Sequence, residues 1–122
     1  EMKNLTLIKI LFFLFFVFIP FSFAQTKTQS GIWSVNPSLE AYSLDKNEGD
    51  RSMTIEVNFK TPFKNKPQIA VSITQLDCDK ESNLRYNVEV LSASRDGFTI
   101  KVKTWADSKI FSISGYWIAF TE

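Results

Sequence analysis

An arginine and two large aromatic side chains in the second half of the chain could together hold a sugar. Arg85 carries several N–H donors in a rigid fork, and the rings of Trp105 and Phe111 offer flat apolar surfaces. One side of a pyranose presents C–H bonds that pack on an aromatic plane, while its hydroxyl groups pair with fixed donors and acceptors. The carboxylate of Asp107 is an acceptor of the required kind. Because these residue types are common, their placement by the fold decides whether they form a site.

The elements that must position these side chains are strands, because apolar and polar residues alternate with a period of two along most of the chain. Met53, Ile55 and Val57 give the clearest example. Strands are predicted at 53–59, 69–74, 86–90, 98–105 and 110–120, with an earlier strand in 30–49 followed by a loop that wraps the domain. The pattern predicts an all-β fold, an antiparallel β-sandwich of about six strands.

The same alternation predicts which side chains face outward. Trp105 shares the polar phase of its strand with Lys101 and Lys103, and Arg85 is also outward. Such a tryptophan contacts a ligand, or it covers a subunit interface or the edge of the sandwich. Residues 106–109 read as a tight turn that would place Trp105 and Phe111 at one end of the same hairpin. Residues 94–97 form another turn, in which Gly97 is free to take a positive φ.

The segment 71–119 resembles the H-type lectin domain, the family of the snail agglutinins and the discoidin C-terminal domains. The resemblance rests on SITQLD at 72–77, NLR at 83–85, GF at 97–98, TW at 104–105 and WIA at 117–119. It extends weakly over 30–50 and well from residue 55 onward. In that family the matching arginine, tryptophan and following aromatic contact the sugar, which implies carbohydrate-binding roles for Arg85, Trp105 and Phe111.

The sequence departs from the family pattern at two of these positions. The family's second aromatic is often a tyrosine, so Phe111 would keep the stacking surface and lose a hydroxyl. In the snail agglutinins a histidine follows the tryptophan and favours N-acetylgalactosamine, whereas here Ala106 stands at that place. Asp107 could accept a hydroxyl of the sugar, or it could stabilise its own turn.

The family also supplies an aspartate from the loop before the strand at 53–59, often from the neighbouring protomer. The resemblance implies Asp50 for this role, with Glu48 second and Asp45 as a further alternative. A solvated acidic loop without a ligand is the other interpretation of these residues.

Association of protomers is likewise implied by the resemblance, because the family forms trimers with sites between protomers. The snail proteins carry an intrachain disulfide whose positions are Lys64 and Val102 here, so that cross-link is missing. Cys78 is the single cysteine, and it either joins two chains or remains a free thiol. A small domain without an internal disulfide gains stability from burial between protomers.

The N-terminal segment has the form of a secretory signal peptide. Lys3 and Lys9 precede an almost wholly apolar run, and Ser22 and Ala24 provide the small residues of a cleavage site before Gln25. The alternative, an uncleaved anchor, is disfavoured because the run is shorter than the roughly 20 residues that span a bilayer. The predicted organisation is therefore a leader at 1–24 and one secreted domain at 25–122.

Charge and composition exclude several classes of function. Fourteen basic and thirteen acidic residues become twelve of each once the leader is removed, and a neutral domain is a poor candidate for binding nucleic acid. Histidine is absent, and the sequence shows neither a nucleophile motif nor metal-ligand spacing, so we expect no enzyme activity, cofactor or metal.

Two hypotheses remain. The first is a multivalent lectin that binds terminal galactose or N-acetylgalactosamine on glycoproteins or glycolipids. The second is a trimeric extracellular module that uses the same fold for structure or protein interaction, without binding sugar.

Overall fold

The computed structural model describes residues 2–4, 27–46 and 48–122. Apart from residues 2–4, the predicted leader lies outside the described residues, and so does its cleavage site. Within the described part of the chain, no helix has the length and apolar character needed to cross a bilayer.

Seven strands form two antiparallel sheets, which confirms the predicted all-β sandwich with one strand more than expected. They are β1 (Lys27–Val35), β2 (Arg51–Asn58), β3 (Gln68–Val71), β4 (Gln75–Cys78), β5 (Asn87–Leu91), β6 (Gly97–Thr104) and β7 (Ile110–Thr121). One sheet has the order β1-β7-β3, with β4 pairing farther along β7, and the other has the order β2-β6-β5. The predicted first strand is present as β1, and the loop after it comprises the described residues 36–46 and 48–50.

The core lies between the two sheets and is rich in aromatic side chains. The rings of Phe59, Phe63, Phe98 and Trp117 stack with centroid separations of 4.8 to 5.9 Å. The inward phase of β6 contributes Ile100 and Val102, both fully buried. Each sheet therefore buries one face, as the alternation predicted.

Three local predictions were wrong. Residues 75–78, where no strand was predicted, form β4, because Ser72 and Thr74 continue the pairing by donating their N–H groups to carbonyls of β7. The segment 105–109 is not a hairpin turn, since β6 and β7 belong to different sheets and this segment crosses between them.

Gly97 shows the third error. Its φ is not positive. A side chain cannot fit at this position, because a Cβ atom would lie 2.2 Å from the carbonyl oxygen of Val57. Close approach of β2, not freedom of φ, therefore requires glycine here. The positive φ before this turn belongs to Ser92.

The outer faces of the two sheets differ in charge. On the three-stranded sheet, Lys101 and Lys103 lie among acidic residues, and Lys101 is 3.8 Å from Glu89. On the four-stranded sheet, the outward positions of β1, of β3 and of 114–118 in β7 carry no charge; they are Thr28, Ser30, Ile32, Ser34, Gln68, Ala70, Ser114, Tyr116 and Ile118. We call this set the uncharged face.

Candidate functional site

The six predicted site residues lie at the same end of the sandwich. β2 and β5 begin at this end, β6 ends there, and β7 begins there after the crossover. Arg51 pairs with Thr104, so Asp50 and Trp105 are the next residues beyond this pair. On the opposite side of β6, Asn87 of β5 pairs with Lys103. Extending this pairing by two residues places Arg85 beside Trp105. Asp50, Trp105 and Arg85 therefore form a row across the ends of three neighbouring strands.

Arg85 is held in place by the crossover segment. Its Nη1 donates to Asp107 Oδ1 at 2.6 Å, and lies 3.4 Å from both Ser108 Oγ and the carbonyl oxygen of Asn83. The Arg85 carbonyl accepts a bond of 2.6 Å from Thr104 Oγ1. Among the described residues, Nε and Nη2 of Arg85 have no hydrogen-bond partner, so this side of the fork is available to a ligand.

Two aromatic rings remain accessible at this end, as predicted. Trp105 is 37% exposed and Phe111 is 39% exposed. The pairing of β4 with β7 skips Phe111, because Asp77 pairs with Ser112 and Cys78 with Ile110. This β-bulge turns Phe111 outward while Ile110 stays buried, and bulges commonly re-aim a side chain in this way.

The three acidic candidates of the preceding loop differ in environment. Asp50 is exposed, and its Oδ2 lies 3.0 Å from Lys103 Nζ on the outer face of β6. Glu48 is exposed. Asp45 has a buried Oδ1 without a hydrogen-bond partner in the described part of the chain, so this atom does not face an outside ligand. Of Asp50 and Asp45, Asp50 is therefore the more accessible acceptor.

A shallow pocket of about 140 Å³ adjoins this row. It is lined by Asp50, Arg51, Ser52, Lys101 and Lys103. Its two lysines and one aspartate provide hydrogen-bond donors and acceptors.

A buried tyrosine supports the loop beneath the site. The Tyr42 hydroxyl donates to the Ile110 carbonyl at 2.5 Å, and the Ile110 N–H donates to the Leu44 carbonyl at 2.9 Å. Burial, with a smaller contribution from the negative charge of Asp45, raises the pKa of Tyr42 to about 12. Tyr42 therefore acts as a neutral donor that connects the loop to the start of β7.

The sequence interpretation missed one residue of this region, Arg51. It is only 8% exposed, and its guanidinium donates to carbonyl oxygens of the loop before β2 and of the crossover. The signal was present, since Arg51 stands in the same phase of β2 as Met53, Ile55 and Val57, where a charged residue is not expected.

Comparison with known proteins identifies the family of this domain. A family model described as the H-type lectin domain matches residues 54–120, more than half of the chain. The chain belongs to the H-type lectin family. The predicted family resemblance is confirmed, and the domain is a lectin-like carbohydrate-binding domain. The matched residues include Arg85, Trp105 and Phe111, whereas Asp50 lies before them.

This H-type lectin domain is also similar to individual proteins. One of the discoidin-1 polypeptides of Dictyostelium discoideum is 28% identical over 78 residues, which are 63% of this chain and 31% of that protein. The protein named ATP synthase subunits region ORF 7 of Fuscovulum blasticum is 31% identical over 71 residues, 58% of this chain and 62% of that protein. The chain thus spans less than two thirds of either relative.

A solved structure shows the same fold. Discoidin II of Dictyostelium discoideum superposes with a TM-score of 0.70 at 19% identity, covering 81% of this chain and 38% of that one. The similarity extends over both sheets of the sandwich, and it supports the fold assignment made from the strands.

Proposed function

We propose that this H-type lectin domain binds a terminal galactose-type sugar at the row formed by Asp50, Trp105 and Arg85. The observation that carries the proposal is the fixed Arg85–Asp107 pair beside an exposed Trp105 ring. The C–H face of the sugar packs on the indole, while the unpartnered Nε and Nη2 of Arg85 donate to its hydroxyls. Asp107 or Asp50 accepts hydroxyl hydrogens, and Phe111 adds a second apolar wall.

Ala106 bears on the choice between galactose and N-acetylgalactosamine. It has a φ of 55° and a methyl side chain, which offers no hydrogen bond to an acetamido group. Galactose should therefore bind at least as tightly as N-acetylgalactosamine. A preference of tenfold or more for the acetamido sugar would contradict this part of the proposal.

Multivalency is supported by the uncharged face. Ile32 and Tyr116 are paired across β1 and β7, and they are 77% and 59% exposed. Centres of protein interfaces are depleted in charge and enriched in aromatic residues, so this face suits contact with a second copy of the chain. We propose a homotrimer with sugar sites between protomers, in which several weak sites gain avidity on a glycosylated surface.

The proposed setting is extracellular. The apolar leader at 1–24 would direct secretion and be removed before Gln25. Cys78, which is partly buried at the end of β4, is either a thiol or an interchain bridge, and non-reducing electrophoresis of the secreted protein separates these two states.

Calorimetric titration of the secreted protein with free galactose and with N-acetylgalactosamine tests the site. Saturable binding that Arg85→Ala removes from a folded protein supports the proposal. Absence of binding by folded, oligomeric wild type would overturn it.

The proposed assembly has its own test. Tyr116→Lys should lower the mass measured by light scattering and, because the proposed sites lie between protomers, weaken sugar binding both to a multivalent glycoprotein and to free galactose. Thr54→Lys, a matched change at an outward position of β2, should alter neither quantity. An unchanged mass for Tyr116→Lys would exclude the uncharged face as the contact.

The uncharged face also favours the second candidate function, a structural or protein-binding module. In that case, binding to the natural partner would persist in Arg85→Ala and in the presence of free sugars. Competition by free galactose therefore discriminates between the two functions.

A further inference from the structure

Arg51 connects two loops that are separated by more than fifty residues in the sequence. Its Nε donates to the Gly49 carbonyl at 3.1 Å, and its Nη1 donates to the Lys46 carbonyl at 2.8 Å. Its Nη2 donates to the carbonyls of Ala106 and Ser108, at 3.0 and 2.7 Å. A single buried guanidinium therefore holds the loop before β2 against the crossover between the two sheets.

The two loops are also joined directly, at the same carbonyl group. The Gly49 N–H donates to the Ala106 carbonyl at 3.0 Å, so this oxygen accepts from both Gly49 and Arg51. Gly49 has a φ of 83° and Ala106 a φ of 55°, two left-handed conformations that the surrounding bonds hold in place.

The joined loops carry most of the proposed sugar contacts. Asp50 directly follows Gly49, while Trp105 and Asp107 flank Ala106. The Ser108 carbonyl accepts a hydrogen bond from Arg51, and the Ser108 hydroxyl oxygen lies 3.4 Å from Nη1 of Arg85. Arg51 is thus bonded to the two segments that carry Asp50 and Trp105 and, through Ser108, connected to Arg85.

We propose that Arg51 is a positioning residue of the carbohydrate site, which fixes the spacing between the Asp50 loop and the Trp105–Ser108 crossover. The residue is 8% exposed and its guanidinium donates to carbonyls of both loops, so it acts through them. This inference rests on the proposed function, because it assigns to Arg51 the geometry of that same site.

Lysine cannot replace arginine in this role. A guanidinium presents five N–H donors in a planar fork, whereas an ammonium is a compact point charge with three rotatable donors. Arg51→Lys keeps the charge but cannot reach carbonyls on both loops with the same geometry. Mutation of residues that orient metal ligands changes affinity or activity by about 10-fold to 100-fold, and by analogy we expect at least tenfold weaker binding of free galactose.

Arg95 provides a matched control at the opposite end of the sandwich. Its Nε donates to the Phe63 carbonyl at 2.9 Å, so it is also an arginine that binds a backbone oxygen. Arg95→Lys should leave the Kd for galactose within twofold of wild type. If replacement of any arginine weakened galactose binding, Arg51→Lys and Arg95→Lys would both bind more weakly than wild type.

The test measures galactose affinity by calorimetry together with amide hydrogen exchange of wild type, Arg51→Lys and Arg95→Lys, each checked for folding by circular dichroism. The expected result is a folded Arg51→Lys protein with a Kd raised at least tenfold and faster exchange of the Gly49 amide. Wild-type affinity in folded Arg51→Lys, with wild type itself binding, would overturn the inference and leave the proposed function intact. Absence of binding by wild type would instead reject the proposed function and this inference with it.

A second variant decides the question if Arg51→Lys does not fold. Gly49→Ala places a side chain on a residue with a positive φ, which strains the backbone where the two loops meet. The added Cβ would have no other atom within 4 Å, so the substitution does not disturb the core. It should weaken galactose binding in a folded protein. Wild-type affinity in Gly49→Ala would overturn the positioning role.

Discussion

Replacement of Trp105 by alanine tests the stacking surface of the proposed site. The ring is 37% exposed, and an aromatic side chain of this size has an area at the upper end of about 150–250 Å². A sugar that covers the exposed part would remove roughly 90 Å² from water, which corresponds to about 2 kcal/mol at about 25 cal/mol per Å². Since about 1.4 kcal/mol is a factor of ten, Trp105→Ala should raise the Kd for galactose roughly 30-fold.

Leu91 provides the matched control for this experiment. It is also 37% exposed, and it lies at the far end of β5 from the site. Calorimetry with free galactose should show weaker binding for Trp105→Ala and wild-type binding for Leu91→Ala, with both proteins folded by circular dichroism. Equal affinities of Trp105→Ala and wild type would refute the assignment of this ring to the sugar.

Three further predictions concern neighbouring groups. Arg85→Lys should weaken galactose binding about tenfold, because the lysine loses the fork that reaches Asp107 and the ligand together; titration calorimetry measures the change. Asp50→Asn should weaken binding by a similar factor and Glu48→Gln should not, and equal effects in the same titration would argue against Asp50. Because the pKa of Tyr42 is raised to about 12 in the folded protein, its neutral hydroxyl favours the folded state fully below pH 10. The free energy of unfolding should therefore fall by about 2 kcal/mol as the pH rises from 10 toward 12. Denaturant unfolding should show this decrease for wild type and not for Tyr42→Phe.

The strands were the most predictable part of this protein. Alternation in β2 and β6 identified both strands and their buried faces, because a half-buried strand needs a period of two. Alternation does not specify pairing partners, however. The turn-like segment after Trp105 was therefore assigned to a hairpin, although the structure uses it to change sheets.

The candidate site was predictable as a set of residues but not as a geometry. The exposure of Trp105 agrees with its predicted phase, whereas Arg85 lies before β5 and its side chain, bound to Asp107, is only 30% exposed. The bulge that exposes Phe111 depends on its pairing with β4, which the sequence did not indicate. The inward phase of Arg51 marked it as an unusual buried charge, but the sequence did not indicate that it binds backbone carbonyls from two loops.

A glycan array with the secreted protein, competed with free galactose and N-acetylgalactosamine, tests the central claim most directly. Binding at the row of Asp50, Trp105 and Arg85 predicts selective signals on glycans with terminal galactose-type sugars, removed by free galactose and absent for Trp105→Ala. A folded, oligomeric sample that gives no signal on the array, or signals that free sugar does not reduce, would contradict the claim.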